Sequence, residues 1–500
     1  MNIAELATQN MEIGERVNYV FEGREYTNIE MDRAAKKLGN VLKLLGVERG
    51  DRVILQLPNC PEIIQAFQAV WKIGAVVVPI NYMVGGDEVG YIYGDAKAKV
   101  VISAPEYLEK VRLARAQAPE VKNVLMIGSN QSEGCLSYTK LVEMASDRLE
   151  HIETDDDELA ALVYTSGTTG FPKGVMQTHY GLYYVATKMK ETIQYPLDLV
   201  YLTVLPLCHA FGISTMMYAL MRPYGKTVIM RSFNLERLLS NIQKYHINGM
   251  ALVPTMYVHM LNYPDAGKYD LSSLEYCMSG SAPLAADTWN RFKEKFGIEI
   301  IEGWGLTEAC GNNSLNPVHG LKKVGSIGKP IAGIELRIFD EKGKELLQGQ
   351  EGEIVMRGPM VMKGYWGKPD ATTEVIKDGW LYTGDIGYVD ADGYYFVTDR
   401  KKDIIIKGGE NIAPRSIEEV LYKHSKVAEA AVVGIKDPVY GENIKAFVTL
   451  KASEQTTVEE IMDYCKANLK SFSVPKQIII MPELPKNLVG KILKKELRKL

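Results

Sequence analysis

The sequence predicts an α/β chain: a large N-terminal domain of helix-covered, mostly parallel sheets with a small barrel-like antiparallel part, followed by a small α+β C-terminal domain. Three observations predict it. Continuous β-branched runs alternate with helix-length segments up to about residue 320, strands with Gly-rich turns take over from about 325, and short strands interleave with helices beyond about 400. A chain of 500 residues is also too long for one hydrophobic core, so two or more domains are expected, with boundaries at 1–400 and 401–500.

In chain order, RVILQL (52–57) is followed by PEIIQAFQAVWKIG (61–74) and AVVVPI (75–80), and KVVISA (99–104), NVLMIG (123–128) and TVIMRS (227–232) repeat the strand theme. Apolar runs without alternation belong to sheets covered on both faces, the parallel kind. IELRIFDEKGKEL and GEIVMRG instead carry the alternation and glycine punctuation of antiparallel pairs. Beyond residue 400, AAVVGIK and IKAFVTLK alternate with SIEEVLYKH and TVEEIMDYCKANL, which suits a compact domain of about 100 residues.

Composition narrows the function classes. Hydrophobic residues make up 46% and charged residues 24%, enough to build a globular core. The net charge of -4 gives no nucleic-acid footprint. It is uneven: residues 401–500 hold 18 Lys+Arg and 13 Asp+Glu, against 40 and 49 in residues 1–400. A basic C-terminal piece facing an acidic body suits a polyanionic ligand, and a solvated lysine-rich surface fits the count equally well. The six cysteines include no CxxC pair, which argues against zinc or a disulfide framework. The N-terminus lacks a signal layout and no apolar stretch is long enough for a membrane span, so a cytoplasmic protein is expected; a monomer and a homodimer are equally open.

The strongest local signal is LAALVYTSGTTGFPKGVM (159–176). An apolar strand runs into Thr165, Ser166, Gly167, Thr168, Thr169 and Gly170, with Lys173 just beyond. Hydroxyls, bare backbone amides and one ammonium suit a loop that wraps phosphate oxygens, although the spacing is not the GxxxxGK[ST] type. This segment resembles the signature loop of the adenylate-forming superfamily: acyl- and aryl-CoA synthetases, peptide-synthetase adenylation domains and beetle luciferases. PLCHAFG (206–212), SGSAPL (279–284), GWGLTE (303–308), GEIVMRG with GYW (352–366), WLYTGD (380–385), DRKKDIIIKGGENI (399–412) and PKNLVGK (485–491) match further motifs of that family, in order.

The resemblance implies ATP, Mg²⁺ and coenzyme A as ligands and assigns roles. Residues 165–173 would hold the β- and γ-phosphates. Thr307 would contact the α-phosphate, and Glu308 would ligate the metal. Trp304 and the segment Gly280, Ser281 and Ala282 would flank the adenine, with Gly303 opening the same motif. Asp385 would take the ribose hydroxyls, with Arg400 adding a donor. Lys402 matches the hinge, Gly408 and Gly409 the lining of the pantetheine tunnel, and Lys491 the catalytic lysine. Taken alone, Lys491 is one of several lysines on a helix face. Asn487 and Val489 replace the hydroxyl residues usual there, which leaves the turn's supporting hydrogen bonds in question. His209 matches a position between the acid and thiol pockets and reads equally well as a packed core histidine.

The stretch 206–225 contains no Asp or Glu to pair with an amino-acid ammonium. A neutral monocarboxylic acid, aliphatic or aromatic, is therefore the expected substrate, with malonate or another acceptor as the alternative. Met216, Met217 and Met221 fit an adaptable pocket or simply fill the core. A serine hydrolase is excluded for want of GxSxG, and a non-catalytic sensor is disfavoured because Glu308 and Lys491 are both present.

Overall fold

A computed structural model describes residues 2–500 apart from 9, 10, 12, 82, 83, 129–133, 151, 166–170, 452, 453, 488 and 489. Among the described residues four sheets form, of nine, seven, five and five strands. The seven-stranded sheet holds Arg52–Gln56 between Val76–Pro79 and Val100–Ser103, all parallel, and ends in the antiparallel pair Leu159–Thr165 and Lys173–Thr178. Val53, Ile54 and Leu55 are fully buried, as a strand covered on both faces requires. The helix Pro61–Lys72 starts with proline at its first turn, where no amide donor is needed, and buries all but one of its residues.

The nine-stranded sheet is parallel through Val200–Thr203, Gly249–Leu252, Tyr276–Ser279 and Ile300–Leu306, then turns antiparallel through Gly311–Leu315. The carboxyl ends of these strands and the segments leaving them carry His209, Gly280 and Gly303–Glu308, where ligands bind in sheets of this kind. The barrel-like part is the antiparallel five-stranded sheet built on Gly352–Arg357 and Trp380–Val389.

The last sheet lies within residues 405–480 and is built on a long hairpin, Val427–Asp437 against Gly441–Leu450. Val432 packs in one apolar cluster while its neighbours Ala431 and Val433 pack in another, so both faces of the strand are covered. Both clusters draw their buried members only from residues 405–497. This unit rests on the rest of the chain through polar contacts: the Arg415 amide donates to Asp399 Oδ2 at 2.9 Å, and the Arg415 guanidinium donates to the Val397 carbonyl. Among the described residues no helix is long and apolar enough to cross a membrane.

Candidate active site

Strand register builds the first wall. Trp380–Val389 pairs with Tyr395–Arg400 so that Asp385 lies opposite Arg400. Asp385 is 2% exposed; its Oδ1 accepts from Arg400 Nε at 3.0 Å and its Oδ2 from Trp304 Nε1 at 2.8 Å. Trp304 reaches it from the end of Ile300–Leu306, where Gly305 lets two chains close: a Cβ there would lie 1.7 Å from the Gly311 carbonyl oxygen. Gly280 leaves Tyr276–Ser279 and packs on Phe211, whose ring a Cβ would meet at 3.1 Å; Ser281 follows with φ +67°, and Ala282 is half-buried. Beneath them Glu302 accepts from the Leu284 amide at 3.4 Å, and burial pushes its carboxyl up to about 7 against the pull of Arg415.

A second group collects phosphate-type residues. Thr165 pairs with Lys173 across the hairpin; Ser166, Gly167, Thr168, Thr169 and Gly170 lie outside the described residues. The Lys173 ammonium sits 4.8 Å over the Tyr365 ring, and Tyr365 Oη donates to Glu308 Oε1 at 3.0 Å. Burial and the Glu308 charge push the Tyr365 phenol well up, so it stays a donor. Gln177, on the same strand face as Lys173, donates to the Thr307 carbonyl at 2.8 Å. The sequence singles out neither Tyr365 nor Gln177, although GYW carries Tyr365 within a recognised motif and the i, i+4 spacing of Lys173 and Gln177 puts both on one face.

Lys491 reaches the first wall from the other unit. Its turn is closed by Asn487, whose Oδ1 accepts from the Lys491 amide at 2.8 Å and whose own amide donates to the Lys491 carbonyl at 2.9 Å. The support that sequence put in question is thus supplied by the asparagine itself; Val489 lies outside the described residues. The Arg400 guanidinium, then burial, pulls the Lys491 ammonium down to about 8, with Lys402 adding to the effect and Asp385 opposing it. His209 is half-buried at the start of the helix Ala210–Leu220, and burial followed by the Lys491 charge pulls its imidazole down to about 4. The ring is therefore neutral near pH 7; Nδ1 accepts from the Phe211 amide at 3.4 Å, which assigns the proton to Nε2. A cleft of about 770 Å³, lined by Phe233, Thr255, Met256 and His259 on one side and by Leu484 and Pro485 on the other, leads to this turn.

The structure thus gathers Trp304, Asp385, Arg400, His209 and Lys491 in one place, and Lys173, Thr307 and Glu308 in another. Lys402 is exposed beside them, and Gly408 and Gly409 stand exposed at the tip of the hairpin Ile405–Lys407 with Glu410–Ile412.

The comparisons with known proteins agree with this geometry. A family model described as AMP-binding enzyme matches residues 6–366, and one described as AMP-binding enzyme C-terminal domain matches 416–491. The chain is 35% identical over 506 residues to a long-chain-fatty-acid–CoA ligase of Bacillus subtilis (strain 168), covering 95% of this chain and 90% of that protein. It is equally 35% identical, over 484 residues, to a feruloyl-CoA synthase of Amycolatopsis sp, covering 95% and 94%. The crystal structure of an anthranilate CoA ligase in complex with anthranoyl-AMP superposes with a TM-score of 0.95 at 30% identity, covering 100% of this chain and 97% of that one. The chain therefore belongs to the AMP-binding enzyme family, the adenylate-forming superfamily, in its branch of AMP-forming acid–CoA ligases.

Proposed function

We propose that the protein joins a neutral monocarboxylic acid, aliphatic or aromatic, to coenzyme A in two steps, through an acyl-adenylate. In the first, a carboxylate oxygen of the acid attacks the α-phosphorus of ATP, the bond to the β-phosphate bridging oxygen breaks, and pyrophosphate leaves. In the second, the CoA sulfur attacks the acyl carbonyl, the carbonyl–AMP bond breaks, and AMP leaves. The observation that carries this reading is the buried Asp385 carboxylate held between Arg400 and Trp304, with the Arg400 charge acting on the Lys491 ammonium.

Each residue answers a physical demand. The attacking carboxylate and the α-phosphate repel, and Lys491 offsets that repulsion where the charges meet. Lys173 and the segment 165–170 hold the β- and γ-phosphates, Thr307 steadies the α-phosphate, and Asp385 fixes the ribose, with Arg400 beside it. Gly280, Ser281, Ala282, Gly303 and Trp304 frame the adenine. Glu308, a single carboxylate held by Tyr365 beside Lys173, suits Mg²⁺ of the kind shared with substrate phosphates. When bound, that ion neutralises phosphate charge. For the second step residues 401–500 turn about Lys402, replacing Lys491 with Gly408 and Gly409.

The acid pocket points to a neutral substrate. The helix Ala210–Leu220 is buried throughout and carries no charged residue. Met216, Met217 and Met221 are buried in the core cluster as packing residues. Arg222, the only arginine in 206–225, has its guanidinium 5.0 Å from the Tyr201 ring and 5.2 Å from that of Tyr218. It follows the far end of a helix that starts beside His209, about 16 Å away at 1.5 Å per residue. It is out of reach of the second carboxylate of a diacid as short as malonate. The test is a panel of acids with ATP and CoA, followed by AMP release and by acid-dependent ATP–pyrophosphate exchange. Fatty or aromatic acids should give the highest kcat/KM; an amino acid or malonate at the top of the panel would refute this pocket.

A further inference from the structure

The helix Gly86–Ala96 ends beside the phosphate-type residues, and its penultimate residue is an aspartate. An acidic side chain in the last turn faces the negative end of the helix dipole, an unfavourable place for it. Arg52 relieves part of that cost by donating to the Ala96 carbonyl at 2.7 Å and to that of Lys97 at 3.1 Å. The Asp95 carboxylate itself takes two phenols: Tyr164 Oη donates to Oδ2 at 2.5 Å and Tyr91 Oη to Oδ1 at 3.2 Å.

Those two tyrosines sit at opposite ends of one segment. Tyr164 directly precedes Thr165 at the end of the strand Leu159–Thr165. The Tyr91 ring stacks on Phe171, with centroids 4.5 Å apart and planes 17° from parallel, and Phe171 directly follows Gly170. The Asp95 carbonyl also accepts from Trp366 Nε1 at 3.0 Å, while the Trp366 amide donates to the Gly174 carbonyl at 2.8 Å. Trp366 adjoins Tyr365, which holds Glu308. Phe171 is 61% exposed, so burial does not explain its place; the stack on Tyr91 does.

We infer that Asp95 is a positioning residue for ATP: its carboxylate holds Tyr164, which precedes Thr165, and, through Tyr91, the stack on Phe171, the described residues on either side of 166–170. The inference rests on the reading of residues 165–173 as the phosphate site, so its test includes a control for that reading. Fixing the ends of a binding segment before the ligand arrives reduces the ordering cost of binding, and the effect falls on nucleotide affinity.

The experiment compares Asp95→Ala, Asp95→Asn, Tyr91→Leu and Phe171→Ala with Lys173→Ala in the full chain. It reads KM for ATP and for the acid in pyrophosphate exchange, and the discharge of supplied acyl-adenylate by CoA. Asp95→Ala should raise KM for ATP about tenfold, the loss expected for hydrogen bonds to a charged acceptor, and Asp95→Asn should recover part of it. Phe171→Ala, at an exposed position that leaves the core untouched, and Tyr91→Leu should each raise it about threefold. KM for the acid and the discharge by CoA should stay within about twofold throughout. A KM for ATP within about twofold of wild type in both Phe171→Ala and Asp95→Ala, while Lys173→Ala raises it, overturns the bracket alone. An unchanged KM in Lys173→Ala overturns the phosphate assignment, and the bracket with it. Equal loss of both half-reactions in Asp95→Ala and in Phe171→Ala makes Asp95 a general structural residue and overturns the positioning role.

Discussion

The turn that carries Lys491 and the hairpin that carries Gly408 and Gly409 belong to the same C-terminal unit, yet they stand in opposite surroundings. Both need glycine for backbone reasons: φ is +74° at Gly490, +60° at Gly408 and +91° at Gly409. Only the first also needs it for space, since a Cβ on Gly490 would lie 2.5 Å from Thr255 Oγ1, whereas a Cβ on Gly409 would meet nothing within 4 Å. One turn is seated in the site and the other faces solvent. At Gly409 the backbone angle alone calls for glycine in this arrangement, and the proposed rotation about Lys402 would add a demand for space. In the proposed reaction the two half-reactions draw on different faces of one small domain, so mutations on the two faces should separate them.

The widest separation is expected at Lys491 itself. Lys491→Ala should lower acyl-adenylate formation on the order of 10³-fold, because a charge placed against the transition state is lost. CoA should still discharge a supplied acyl-adenylate at close to the wild-type rate. Gly409→Leu should do the reverse, sparing pyrophosphate exchange and blocking thioester formation. Paired single-turnover kinetics read both; equal loss of both steps in Lys491→Ala would show that the two faces do not alternate.

Glu308→Gln sharpens the contrast from the fixed side. Glu308 lies in the larger part of the chain and is held there by Tyr365, a residue of the same part. Removing one anionic ligand should cost adenylation about 10²-fold, the worth of metal charge stabilisation, with the deficit shrinking as Mg²⁺ is raised. Wild-type kinetics at limiting Mg²⁺ would take Glu308 out of the metal site.

The parallel strands were legible because runs such as Val53–Leu55 carry no polar alternation, and the structure buries them on both faces. The family motifs made the site residues legible one by one. What could not be read was which of them meet. Trp304 finds Asp385 across 81 positions and Trp366 finds Asp95 across 271, and no local pattern encodes contacts of that range. Tyr365 and Asp95 looked ordinary because their roles lie in partners from other elements. Asn487 was legible as a departure from the family pattern but not as a solution, since its amide oxygen acts as an acceptor only once the turn has formed.

A smaller separation is expected along the pH axis. Arg400 and burial set Lys491 at about 8 in the free enzyme, and the protonated form is the one that opposes phosphate charge. The kcat/KM for ATP in pyrophosphate exchange should therefore be flat below about pH 8 and fall about tenfold per unit above it. Discharge of supplied adenylate by CoA should show no falling limb at that pH if, as proposed, Lys491 is turned away in that step. A limb shared by both steps would assign the titration to another group. Arg400→Gln removes the first cause of the depression and should move the limb to higher pH.

The smallest effect tests how the seated turn is held. Asn487 closes it twice, through its backbone and through the side-chain oxygen that accepts from the Lys491 amide. Asn487→Ala keeps the backbone bond and deletes only the acceptor, leaving the Lys491 amide to seek water at a half-buried position. Loss of one such bond is worth about 1 kcal/mol, which is about fivefold in rate when the turn must be formed for the step to proceed. Adenylate formation should fall by that factor while CoA discharge holds, and Asn487→Thr, which keeps an acceptor oxygen, should recover part of the loss. If Asn487→Ala slows both half-reactions alike, the asparagine stabilises the whole C-terminal unit rather than the lysine's approach. An unchanged first step would mean that packing of Gly490 against Thr255 alone seats the turn.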